Sequence, residues 1–238
     1  MANTKSRSLG PGLSSAEQVA GFCYLPFYVV LLAWGIRYLS DHFGLHLSVM
    51  HINICYFVLN FVIIWAIFHN FLIRSFHSAR FWEVIQALIL GFCLYYAGNI
   101  LFTLVTGLLN LKVVNFNNDL VANLAGQNWW IMLIGTVFIA PLVEETLVRG
   151  LIFGSIHQSS RWAAYIVTII LFAAMHVWQF ILQYDFKAIL LASIQYIPAG
   201  IALGWTYEKS NTIWAPIALH ATINAISMGI IKVMELTI

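Results

Sequence analysis

Three charged residues interrupt an otherwise apolar helical run, PLVEETLVRGLIFG, over residues 141–154. Ionisable side chains at membrane depth are costly and usually functional. Glu145 and Arg149 are four residues apart with the glutamate first, the favourable order for an ion pair on a helix. Glu144 lies about 100° around the helix from Glu145, so Arg149 can neutralise only one carboxylate fully. A poorly solvated carboxyl group without a full counter-charge has a raised pKa, which suits a general base near neutral pH.

Two further polar motifs lie in apolar runs, His176 in ILFAAMHVWQF and His220 with Asn224 in APIALHATINA. Residues 159–161 predict a turn between two helices. Glu144 and His176 are each 16 residues from residue 160, a distance of about 24 Å along a helix. Residues equidistant from the turn of an antiparallel hairpin lie at equal depth, so we expect these two side chains to face each other.

His220 and Asn224 are also expected at this site. They share one helix face and lie about 14 to 20 Å beyond a turn near Ser210, on the same side of the membrane. A single membrane His or Asn is more often an interhelical hydrogen-bond partner, but the joint pattern favours a catalytic cavity. Small residues at i, i+4 spacing predict close helix packing there: Gly150 with Gly154, and Gly200 with Gly204.

The composition places the chain in a lipid bilayer. Of 238 residues, 61% are hydrophobic and 8% are charged, whereas soluble domains carry about 25% charged residues. An ordinary soluble domain and a disordered chain are both excluded. The Lys and Arg residues are scattered singly, so no nucleic-acid partner is expected. Three cysteines without CxxC spacing argue against a disulfide framework or a zinc knuckle.

Apolar runs of about 20 residues, the length that spans a bilayer core, recur along the chain. They predict an all-α polytopic bundle of about seven membrane helices around a buried cavity, with six or eight also compatible. Residues 1–18 are predicted to form a polar tail and 19–238 one transmembrane domain, with a catalytic core at about 129–230. Four prolines predict kinks, and the Asn-rich loop 110–128 predicts a turn. The predicted helices are 19–38, 52–73, 84–108, 129–157, 162–182, 188–207 and 212–234.

The distribution of Lys and Arg favours a cytoplasmic N-terminus in the cell membrane. Seven such residues lie on the N-terminal side and four on the other. The first group is Lys5, Arg7, Arg74, Arg80, Arg149, Arg161 and Lys209; the second is Arg37, Lys112, Lys187 and Lys232.

The charged and polar motifs resemble those of the CAAX protease and bacteriocin-processing (CPBP, or Abi) family. Glu144-Glu145-x-x-x-Arg149 resembles its EExxxR motif, and Phe172-x-x-x-His176 resembles its FxxxH motif. His220-x-x-x-Asn224 is similar to its third motif, HxxxN or HxxxB. The three motifs occur in the family's order, on successive predicted membrane helices between about 129 and 230.

The resemblance implies an all-helical intramembrane endopeptidase similar to type II CAAX prenyl proteases. By the same resemblance, Glu144 activates a water molecule, His176 orients it, and His220 and Asn224 bind the oxyanion. Glu145 and Arg149 support the base. The resemblance favours a mechanism without a metal cofactor, although Glu144, His176 and His220 could supply three ligands to zinc.

The function and substrate leave alternatives open. The expected partner is a membrane-associated peptide or protein, such as a CAAX protein, a bacteriocin leader or a peptide pheromone. A non-catalytic bacteriocin-immunity or peptide-binding protein is the main alternative, and a proton-coupled transporter is a third. The resemblance and the charge bias both indicate a cavity that opens to the cytoplasm.

Overall fold

The computed structural model describes residues 9–237, with side chains through residue 234. Lys5 and Arg7, and most of the predicted tail, lie outside the described residues. Seven described helices are long and apolar enough to span a membrane, as predicted, and the chain is a multi-pass membrane protein. They are α1 (Ser15–His42), α2 (Val49–His77), α3 (Phe81–Leu108), α5 (Trp129–His157), α6 (Arg161–Phe180), α7 (Phe186–Ser210) and α8 (Trp214–Met234).

Polar residues set where several helices begin. The side chains of Ser14, Ser48, Asn128, Ser160 and Asp185 each accept a hydrogen bond from a backbone N–H in the first turn of the helix that follows. Such caps satisfy amide groups that have no partner within the helix. The described residues contain helices and no strands, and the capped helices begin close to the predicted positions.

The predicted N-terminal tail is wrong over its last residues. Helix α1 begins at Ser15, and Glu17, assigned to the tail, is buried against α2. Its carboxylate accepts hydrogen bonds from the backbone N–H of Phe71 at 2.9 Å and from Arg74 at 2.9 Å. Tertiary pairing thus draws a polar segment into the first membrane helix.

The predicted turn within residues 110–128 is also wrong, because a short helix, α4 (Phe116–Gln127), lies there. Asn115 caps it by accepting a hydrogen bond from the backbone N–H of Asn118 at 3.0 Å. Asparagine favours both turns and helix N-caps, so the asparagines of this segment do not distinguish a turn from the start of a helix. The helical conformation is stabilised by packing, because Phe116 and Leu124 are buried in two different apolar clusters at this end of the bundle.

Three of the four predicted proline irregularities are present. Hydrogen bonding widens to i→i+5 over Phe27–Leu31, directly after Pro26, and over Gly135–Ile139, just before Pro141. Helix α7 is interrupted between Ile194 and Ile197, before Pro198. The fourth, Pro216, causes no break because it lies in the first turn of α8, where a missing N–H breaks no helical hydrogen bond.

Helix α5 is the centre of the bundle. All eight residues of Thr146–Phe153, a second i→i+5 segment, are buried, and Leu147 and Leu151 share the largest apolar cluster with side chains of α2. Local widening of this kind is frequent at functional sites. Of the predicted small-residue contacts, Gly200 and Gly204 bring α7 against Ile169 and Tyr165 of α6. The most buried helix is thus also the one with the charged motif.

The seven spans alternate in direction and define two faces of the bundle. The N-terminal face contains the start of α1 and the connections 78–80, 158–160 and 211–213. The opposite face contains the connections 43–48, 109–128 and 181–185 and the end of α8. Arg149 is fully buried and belongs to neither face. The described Lys and Arg residues then divide equally, four to each face, so the charge bias depends on Lys5 and Arg7.

Candidate active site

Glu144 and His176 face each other across the α5–α6 hairpin. Oε2 of Glu144 lies 3.9 Å from Nε2 of His176, and each side chain is 14% exposed. The hairpin turns at residues 158–160, where Ser160 caps α6. Equal distance from this turn places the two residues at equal depth, as their spacing predicts.

The hydrogen bonds of His176 define which of its nitrogens faces the glutamate. Nδ1 donates to the carbonyl oxygen of Phe172 at 2.7 Å, since a carbonyl only accepts. In the neutral ring, Nε2 is then an acceptor, and it is directed toward Glu144. A separation of 3.9 Å is too long for a direct hydrogen bond and suits two groups bridged by one water molecule.

Glu145, in contrast, binds two partners through one oxygen, Arg149 of its own helix and His220 of α8. Its side chain and that of Arg149 are both 0% exposed, and Oε1 of Glu145 accepts from Nη1 of Arg149 at 3.0 Å. The same oxygen accepts from Nδ1 of His220 at 2.9 Å. Arg149 also donates to the carbonyl oxygen of Gly200 at 3.3 Å. Oε2 of Glu144 and Oε2 of Glu145 are both buried without a hydrogen-bond partner among the described residues. Glu145 is nevertheless bound through Oε1, whereas Glu144 accepts no direct hydrogen bond from the described residues, so Glu144 is the carboxylate left free.

His220 and Asn224 of α8 border the same cavity, each held by one hydrogen bond. The bond from Nδ1 of His220 to Glu145 leaves Nε2 unengaged within the described protein. Nδ2 of Asn224 donates to the carbonyl oxygen of Thr136 at 2.8 Å. A carboxamide nitrogen carries two hydrogens, so one N–H of Asn224 remains available. Both side chains keep a polar group for a ligand.

Two aromatic residues support the site beyond the six predicted residues. The ring of Phe172 lies 4.6 Å from the Arg149 guanidinium carbon, 4.5 Å from the ring of His176 and 5.6 Å from that of His220. Tyr196 packs on His176 with ring centroids 4.4 Å apart. Phe172 belongs to the Phe172-x-x-x-His176 motif, although no role is predicted for it, whereas no sequence signal marks Tyr196.

A cavity of about 330 Å³ joins these groups. Glu144, His176, His220 and Asn224 all line it, with residues from α1, α2 and α4. Helices α1, α2 and α4 therefore complete the site. Tyr28 and Tyr56 of α1 and α2 are among the lining side chains.

The proposed zinc ligands do not converge in this arrangement. In the described part of the chain, no three His, Cys, Asp or Glu side chains lie where they could share one metal ion. Glu144 and His176 are near each other, but His220 is turned by its bond to Glu145.

Comparison with known proteins agrees with the motifs. Residues 126–226 match the family described as type II CAAX prenyl endopeptidase Rce1-like. The resemblance to the CAAX protease family is confirmed. The matched segment contains every motif residue from Glu144 to Asn224.

Two curated relatives match shorter regions. The protein named "Putative membrane peptidase YdiL" of Bacillus subtilis is 26% identical over 95 residues, 40% of this chain and 34% of the relative. "UPF0177 protein YxdF" of Lactococcus lactis is 30% identical over 97 residues, 41% of this chain and 48% of the relative. The alignments thus span about a third and about half of the two relatives. No solved structure matches the chain.

Proposed function

We propose that the protein is an intramembrane endopeptidase in which Glu144 activates water for attack on a peptide bond of a membrane-associated substrate. The observation that carries the proposal is the pair formed by Glu144 and His176, whose side chains are 3.9 Å apart and each 14% exposed. Glu144 is unpaired on Oε2, while the adjacent Glu145 is occupied by Arg149 and His220.

The first step is attack by water. A water molecule between the two side chains donates one hydrogen to Oε2 of Glu144 and the other to Nε2 of His176, because both atoms are acceptors. Its lone pairs are then directed away from the enzyme groups, toward the substrate carbonyl carbon. As the new C–O bond forms, the proton moves to Glu144 and the carbonyl electrons move to the substrate oxygen.

His220 and Asn224 stabilise that oxyanion. Asn224 offers its second N–H, and His220 offers Nε2 when the ring carries both protons. The buried carboxylate of Glu145 beside Nδ1 is the counter-charge for that form of the ring. The intermediate collapses when the C–N bond breaks and Glu144 returns its proton to the leaving amine, which yields a carboxylic acid and an amine.

Glu145, Arg149 and Phe172 position these groups and do not touch the reacting atoms. Arg149 connects α5 with the backbone of α7 at Gly200, and Glu145 connects α5 with α8. Phe172 lies against Arg149 and both histidines. The binding-only alternative requires none of these proton-transfer relationships, and the structure offers no observation that favours it.

The test is cleavage of a quenched peptide library by purified protein in lipid nanodiscs. Wild type is compared with Glu144→Gln, an isosteric change that removes the base, with and without a zinc chelator. We expect kcat/KM to fall at least about 100-fold in the variant and to be unaffected by the chelator. Equal cleavage by both proteins would contradict the role of Glu144, and loss of activity on chelation would contradict the metal-free mechanism.

A further inference from the structure

The cavity extends from the middle of the bundle toward the opposite face, with His220 the one lining residue clearly in the N-terminal half. Helices α1, α6 and α8 start at the N-terminal face, and each contributes residues from its second half, such as Ala33, Gln179 and Met228. Helices α2 and α5 start at the opposite face, and each contributes residues from its first half, such as Ile52 and Met132. The cavity thus opens on the face opposite the N-terminus. The two predictions made from the sequence, a cytoplasmic N-terminus and a cavity that opens to the cytoplasm, are therefore incompatible.

The outer part of the cavity carries neutral amide groups. Asn53, Asn117, Asn118 and Gln179 line it at the opposite face, and we call these four the carboxamide rim. The side chain of Asn53 donates to a backbone carbonyl of its own helix. Each carboxamide has both a donor and an acceptor, as a peptide group does. The rim can therefore pair with an extended peptide backbone in either direction.

Apart from its two histidines, the lining contains no basic side chain to receive a negatively charged substrate group. Among the described residues that line the cavity, none is Lys, Arg or Asp, and Glu144 is the one carboxylate. A substrate carboxylate would lose water in the cavity without gaining a Lys or Arg counter-charge, and a substrate cation could gain one only from Glu144, the group that activates water. An uncharged internal segment meets no such penalty.

From these observations we infer that the substrate is an uncharged internal peptide segment that enters from the face opposite the N-terminus and is held by the carboxamide rim. The inference rests on the proposed function and adds to it the direction of entry and the class of segment cleaved. With a cytoplasmic N-terminus, entry is from outside the cytoplasm.

Binding is tested in the full chain with Glu144→Gln, so that the result does not depend on turnover. Two pools of acetylated and amidated nonapeptides are used, one uncharged and one with a single Asp or Lys, and retention on nanodiscs is measured after subtraction of empty nanodiscs. We expect at least tenfold more retention of the uncharged pool. Equal retention of the pools, or no retention of either, would overturn the inference.

Variants of α4 provide the matched control for the rim. Asn117→Ala combined with Asn118→Ala should lower retention of the uncharged pool at least fivefold. Asn123→Ala, an exposed position on the same helix that does not line the cavity, should change it less than twofold. Equal effects from the rim and control variants would reject the rim as a binding surface.

The direction of entry is tested by cysteine labelling. Cys23, Cys55 and Cys93 are replaced by alanine, and Asn118→Cys or Ser159→Cys is added to a chain with an N-terminal tag. An impermeant maleimide should reach Asn118→Cys from the side away from the tag and Ser159→Cys from the tag side. Labelling at Asn118→Cys should abolish peptide retention, and labelling at Ser159→Cys should not.

These readouts separate the inference from the proposed function. If peptide retention depends on the carboxamide rim but the wild-type protein cleaves no peptide, the proposed peptidase activity is contradicted and the proposed direction of entry is not. Cleavage by wild type with labelling of Asn118→Cys from the tag side would reject the entry route alone.

Discussion

His220 donates its Nδ1 hydrogen to Oε1 of Glu145 at 2.9 Å, although 75 positions separate the two residues in the chain. The same oxygen accepts from Arg149 at 3.0 Å. One buried carboxylate oxygen thus connects α8 with the ion pair of α5. The neighbouring Glu144 accepts no direct hydrogen bond from the described residues and lies 3.9 Å from Nε2 of His176, so we propose that the two adjacent glutamates have different tasks, one structural and one chemical.

The two glutamates should therefore differ in their effect on stability. Glu145→Gln leaves the fully buried Arg149 without its counter-charge, and breaking a buried ion pair in this way costs about 3–5 kcal/mol. Glu144→Gln should change the free energy of unfolding by less than about 1 kcal/mol. Thermal unfolding of both variants in the same detergent measures the difference, and equal midpoints would contradict the division of roles.

Asn224→Ala should lower kcat at least about 100-fold, the usual effect of removing one oxyanion donor, with KM changed less than about twofold. Thr222→Ala is the control, because Thr222 is exposed on the same helix and its hydroxyl donates only to the carbonyl of Ala218. Steady-state kinetics on one cleaved peptide distinguish the two variants. A rise in KM without a fall in kcat would assign Asn224 to substrate binding instead.

Phe172→Leu should reduce both stability and activity. The variant loses the ring that packs on Arg149, His176 and His220, at a cost of about 1–3 kcal/mol, and it leaves the imidazoles less firmly oriented. Phe138→Leu, 64% exposed on α5, should change neither property measurably. Unfolding midpoints and kcat of the two variants provide the test. An equal effect at both positions would show that Phe172 does not organise the site.

Gly200→Ala should destabilise the bundle by about 1–3 kcal/mol. An added Cβ would lie 2.8 Å from Cγ1 of Ile169 and would displace the carbonyl that accepts from Arg149. The control is Gly229→Ala on α8, where nothing lies within 4 Å; the higher helix propensity of alanine should there stabilise by up to about 1 kcal/mol. We expect the unfolding midpoint to fall in Gly200→Ala and to rise in Gly229→Ala. A shift in the same direction in both variants would contradict the close packing of α6 and α7.

Features confined to one helix or one short hairpin could be predicted from the sequence. The seven spans follow from the length of apolar runs, and the pairing of Glu145 with Arg149 follows from helical periodicity. Glu144 and His176 face each other because they are equally many residues from the turn between α5 and α6. Each of these properties depends on a fixed rise and rotation per residue, which the local sequence determines.

Contacts between distant helices needed the tertiary structure. The bonds from His220 to Glu145 and from Asn224 to the carbonyl of Thr136 depend on the rotation of α8 against α5. The helical rather than turn conformation of α4 depends on burial of Phe116 and Leu124. The half of the bundle that holds the cavity depends on how the N-terminal helices close around it. Interlocking of side chains sets these rotations, and no periodicity within a single helix contains that information.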